Sequence, residues 1–135
     1  MTFDLNSLKA DKTLQEDGNW VKDILPDLHV KVRSTSSHTF KKRMAELLKP
    51  YQRLGKEPSL EQQEEVSAKA VAETLLLDWS GVVSDGKEVE YTVENAIALF
   101  TDIPEFLIAV SQAGNSLENF KHETDLVTSG NSETT

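Results

Sequence analysis

The sequence has no cysteine, which excludes disulfides, thiol nucleophiles, iron–sulfur clusters and every zinc site built on thiolates. Glycine and proline are scarce, six and four in 135 residues, so each one marks a turn or a break. No run approaches the roughly 18 apolar residues that a membrane span needs. The first eleven residues already carry Asp4, Lys9 and Asp11, so the apolar stretch of a signal peptide is missing. No internal repeat is present. These absences predict a soluble, intracellular protein that folds without staples, since a chain of this size buries roughly two-thirds of its unfolded surface.

Positive charge is scarce in one half only. The formal net charge is −9. Residues 1–58 hold 11 Lys and Arg against eight Asp and Glu, whereas residues 59–135 hold three against 15. The chain is an electrostatic dipole along its length. Either the two segments neutralise each other within one molecule, the reading we favour, or each faces a partner of opposite charge.

Hydrophobic patterning predicts an α+β fold, mostly helical, with about four helices and one or two short β-hairpins. Residues 1–16 read as a polar N-terminal arm, residues 17–121 as a single domain and residues 122–135 as a polar tail. A hairpin is expected over 19–24 and 28–34, turning at Pro26-Asp27. Ser36 or Ser37 then caps a helix whose apolar stripe is Phe40, Met44, Leu47, Leu48, Tyr51 and Leu54, with Pro50 expected to kink or stop it near Lys49. Ser59 and Gln62 form a capping box for a second helix. Its stripe, Ala68, Val71, Ala72, Leu75, Leu76 and Trp79, predicts helix up to Gly81. Asp85-Gly86 marks a tight hairpin that sets Val82 opposite Val89. Thr92 caps a short helix, and Asp102 is expected to cap the last, with Pro104 in its first turn. Ile103, Phe106, Leu107, Val110, Leu117 and Phe120 make the final core stripe.

Catalytic and ligand-binding constellations do not emerge. His29, His38 and His122 are far apart and lack metal-ligand spacing. No phosphate-cradling glycine loop or nucleophile elbow occurs, and Glu64-Glu65 are helix neighbours pointing in different directions. We therefore expect no enzyme, no metal and no cofactor. Lys41-Lys42-Arg43 is the best nucleic-acid candidate, but on an amphipathic helix of a protein at −9 it reads better as a solvated face. Trp20 and Trp79 each have a core reading, which we favour, and a reading as exposed anchors for a partner.

The order of features resembles one family. Residues Phe3 to Asp11 (FDLNSLKAD), Gly18-Asn19-Trp20-Val21, Val30 to Ser34 (VKVRS), and a basic helix ending Leu47-Leu48-Lys49-Pro50-Tyr51 make the first half of the match. Leu77-Asp78-Trp79-Ser80-Gly81-Val82, Tyr91 to Ala96 (YTVENA), Phe106 to Val110 (FLIAV) and Asn119-Phe120 make the second. Together, from Phe3 to about Phe120, they resemble the tail assembly chaperones of long, flexible-tailed bacteriophages.

The resemblance implies a non-enzymatic factor of the host cytoplasm, absent from the mature virion. Such a factor binds the tape-measure protein, keeps its apolar helices soluble and helps recruit the tail-tube protein. That last task falls mainly to a longer frameshifted product, of which this chain looks like the short form. It implies neither a nucleic-acid nor a membrane partner and supplies no fixed list of binding residues. The charge dipole adds an expectation of its own. Copies would associate head to tail, Lys41, Lys42, Arg43 and Arg53 of one against Glu61, Glu64 and Glu65 of the next. The alternative is a small acidic regulator or adaptor that binds another protein, or mimics DNA.

Overall fold

The computed structural model describes residues 1–121, and within them the chain is α+β, with five α-helices and five strands in two antiparallel sheets. The first hairpin forms where the alternation places it. Strand β1 (Asn19–Leu25) pairs with β2 (Leu28–Val32) through a turn in which Asp27 takes a φ of 62°. Leu28, Val30 and Val32 point inward and are buried. A third strand, β3 (Leu76–Ser80), lies on the other side of β2, giving the order β1-β2-β3.

That strand corrects the expected helix over residues 68–79. Helix α3 (Leu60–Ala70) starts at the Ser59–Gln62 capping box but loosens into a π-helical turn at Val71–Leu75 before the chain extends. The reason lies in the β2–β3 register. Val32 faces Leu76 while Lys31 faces Asp78, so Leu77 is one extra residue in the ladder. In a regular strand Leu76 and Trp79, three apart, would point to opposite faces; across this bulge both are buried. A bulged strand thus copied the spacing of a helical stripe.

The residues expected as an arm are tied to the domain from Asp11 onward. Helix α1 (Lys12–Asp17) is capped by Asp11, whose amide donates to the Phe120 carbonyl at 2.8 Å. Arg33 donates from Nε to the Glu16 carbonyl and from a terminal nitrogen to that of Thr74, at 2.6 and 2.7 Å. It thereby joins α1, the sheet and the π-turn. The Glu16 carboxylate accepts from the His38 amide and the Thr39 hydroxyl at the start of α2 (His38–Arg53), whose N-cap is Ser37. Burial alone would raise the Glu16 pKa. The hydrogen bonds from His38 and Thr39, with the His38 ring, outweigh it and hold the carboxyl below its usual range. A depressed folded pKa adds stability that is complete above the ordinary glutamate value of about 4.3 and is lost as pH falls through the folded value. Glu16→Gln is therefore expected to flatten the acid limb of stability, measured as the thermal midpoint at successive pH values. Equal acid sensitivity in both proteins would contradict this role.

Pro50 does not end α2, which continues to Arg53. The lost hydrogen bond is confined to the last turn, and the carbonyl it would have met belongs to exposed Glu46, where water can replace it. The second hairpin, β4 (Val83–Ser84) and β5 (Lys87–Glu88), turns at Asp85 and Gly86, with φ of 52° and 78°, and sets the Val89 amide on the Val82 carbonyl. It forms a sheet of its own. Thr92 caps α4 (Val93–Asp102), whereas Asp102 ends that helix and does not cap α5 (Pro104–Asn115). Ile103 takes the cap position without a side-chain bond, because Pro104 needs an extended residue before it. At this 117° corner Ile103 is also exposed, not core.

The core gathers Leu75, Leu76, Val110 and Phe120 with an aromatic group of Trp79, Tyr91, Phe100 and Phe106. Tyr91 donates its hydroxyl hydrogen between the Leu76 and Ala72 carbonyl oxygens, at 2.6 and 3.1 Å. Burial, then the negative charge of Asp78, raises its pKa and keeps it a donor.

Candidate functional site

Helix α2 is the anomaly of the fold. It has 16 residues and a complete apolar stripe, yet none of them is buried. Its first half is held by the Glu16 cap and by an ion pair from Arg43 Nε to Glu73 at 2.5 Å, with Glu46 at 3.3 Å on the same guanidinium. Its second half runs beside the first turns of α3, which read LEQQEE and offer almost nothing apolar to cover it. The consequence is an open groove of about 430 Å³, lined by Met44, Leu48, Tyr51, Pro58 and Val66, with Gln52, Lys56 and Gln63 among its polar borders. At the hairpin's end Leu54 and Leu60 stand 71% and 72% exposed.

The groove lies between two helices and its walls are mainly apolar, which suits a third helix laid along it. Among the described residues no three His, Asp or Glu side chains gather to hold a cation.

The sequence candidates fall into three groups. Lys41, Lys42 and Arg53 on α2, and Glu61, Glu64 and Glu65 on α3, are exposed. Among the described residues none of the six makes an ion pair. Arg43 is already committed to Glu73, a pair that spans the basic and acidic segments within one molecule; the hydrogen bond that Arg43 donates to the Glu73 carboxylate raises its pKa further. Because both partners are about a quarter exposed, Arg43→Ala is expected to cost only about 0.5–1 kcal/mol by urea denaturation. A larger loss would show that the pair anchors α2. Of the tryptophans, Trp20 stands 44% exposed on the outer face of β1, opposite Lys31. Trp79 is 7% exposed and donates its ring N–H to the Val89 carbonyl at 2.8 Å, so it is core and is withdrawn as a partner anchor.

The groove residues Met44, Leu48 and Tyr51 were missed as a site because their spacing reads as core, and Val66 because it lies outside the stripe read for its helix. The signal that could have found them is the facing sequence. A stripe is core only if its neighbour has apolar side chains at the same level, and residues 61–65 have none.

The family model described as YdaY prophage protein matches residues 35–131 of the chain, a span that includes both walls of the groove and leaves out Trp20. No curated protein and no solved structure matches.

Proposed function

The chain belongs to the YdaY prophage protein family, and we propose that it is a tail assembly chaperone whose α2–α3 groove holds apolar helical segments of the tape-measure protein. The open groove carries this reading. A protein that keeps long apolar helices in solution needs an apolar strip that its own fold leaves uncovered, so that a client helix can take it. The groove is that strip, and the charged residues around it keep the loaded complex hydrated. The protein acts by contact, without catalysis or cofactor, in the host cytoplasm, and tail-tube subunits are recruited to the loaded tape measure mainly through a longer frameshifted product. The order of motifs from Phe3 to Phe120, which resembles the tail assembly chaperones, supports the same reading.

Co-expression with the tape-measure protein of the same prophage tests it. Wild type is expected to move most of that protein into the soluble fraction, while Leu48→Glu, with unchanged circular dichroism, leaves it in the pellet. A tape-measure protein as insoluble with wild type as alone would overturn the proposal. Recovery of a polymerase, nuclease or repressor in its place would favour the acidic regulator.

A further inference from the structure

The groove's two walls carry opposite charge. On α2, Lys49 lies one turn before Gln52, which lines the groove, and is exposed. On α3, Glu64 is exposed one turn before Ser67, which lines the opposite wall. The face therefore runs from a basic edge through an apolar strip to an acidic edge. Such a face complements itself.

We propose that, before a client arrives, the groove is closed by the same face of a second copy, giving a two-fold dimer whose core is a four-helix bundle. Two arrangements of the second copy have a two-fold axis in the plane of the face. An axis across the helices would lay α2 on α2 and α3 on α3, like charge on like. An axis along the groove lays α2 of each copy over α3 of the other, so that basic and acidic edges meet and neighbouring helices are antiparallel. Charge selects the second.

Rotation about that axis keeps every residue at its own level along the groove. The hairpin is antiparallel, with Arg43 beside Glu73 at one end and Tyr51 near Pro58 at the other. Lys49 of one copy then meets the turn from Glu64 to Ser67 of the other. Met44, Leu48, Tyr51 and Val66 become the bundle's interior, and exposed Leu54 and Leu60 come together at its end. The contact is isologous and closes on itself, unlike the head-to-tail array that the charge dipole alone suggests. It also gives the proposed chaperone a resting state: client helix and second copy compete for one groove, so an empty chaperone does not expose its apolar strip.

The inference rests on the groove as a contact surface for helices, but its test needs no client. Sedimentation equilibrium of the full chain, over about two decades of micromolar concentration, is expected to show a mass moving from 15.1 kDa to twice that value and no further. Lys49→Glu and Glu64→Lys should each weaken the dimer about tenfold or more, because the two-fold places every like-charge contact twice. The double variant should restore it to within about threefold. Both positions are exposed, so folding is spared.

A monomer at every concentration would overturn the dimer while leaving client capture to the co-expression test. Growth beyond the dimer, or single variants that dimerise like wild type, or a double variant as weak as either single one, would overturn it equally.

Discussion

Gly81→Ala is expected to lose about 3 kcal/mol or more of stability, a large share of the roughly 5–15 kcal/mol by which a domain is held folded. Gly81 follows β3 with a φ of 87°, a conformation that already costs an L-residue roughly 1–2 kcal/mol. An added Cβ would overlap the Asp27 carbonyl oxygen, and the next atoms it meets, the Asp27 carbonyl carbon and Leu28 Cα, are also backbone. No side chain can swing aside to make room. Relief would require the β1–β2 turn and the end of β3 to separate, pulling on the His29–Ser80 pairing beside them. Gly86→Ala supplies the internal comparison, since Gly86 has a φ of 78° but open space around it and should lose only about 1–2 kcal/mol. Urea denaturation of the two variants checks this, and equal losses would contradict the close approach at Gly81.

Trp79→Ala is expected to cost about 3–5 kcal/mol, the loss typical of deleting a buried large aromatic side chain. The ring packs edge-on to Tyr91 at 5.1 Å and tilted against Phe106 at 5.9 Å, and its N–H satisfies the Val89 carbonyl. Truncation opens a cavity where the π-turn, β3 and α5 converge and strips the second hairpin of that anchor. Trp20→Ala should cost less than about 1 kcal/mol, because its ring is 44% exposed and its loss leaves no cavity. Thermal melts of both variants separate the two tryptophans. A Trp79→Ala protein as stable as Trp20→Ala would contradict the assignment of Trp79 to the core.

The contrast between the tryptophans shows where the sequence is legible. Local chemistry was readable: the Ser59–Gln62 capping box, the Thr92 cap, the Asp85-Gly86 turn and the alternation of β2 all form as their residues dictate, since each depends on neighbours within a few positions. What depended on distant partners was not. The strand at Leu76–Ser80 hid behind a helical spacing because the bulge at Leu77 exists only when β2 is alongside. Asp102 has the chemistry of a cap but sits one residue too early for a helix that Pro104 begins. Pro50 is a helix breaker by composition, yet in a final turn with Glu46 facing solvent it costs too little to stop α2.

The candidate site was legible in its charges and not in its shape. Lys41, Lys42, Arg53, Glu61, Glu64 and Glu65 are exposed, as charge on amphipathic helices requires. That α2 and α3 lie side by side and leave an apolar groove between them is a property of the hairpin's packing. Arg43 shows how packing divides a charge run: of three consecutive basic residues, the middle of the fold claims one, through Glu73, and leaves two outside.

Site-specific photocrosslinking in cells during prophage induction tests the central claim most directly, with a photoreactive residue in place of Gln52 at the groove and, separately, in place of Lys22 on β1. The account predicts that the Gln52 position captures the tape-measure protein and the Lys22 position does not. Capture of the tape-measure protein at Lys22 alone, or of a protein unconnected with the tail at Gln52, would contradict it.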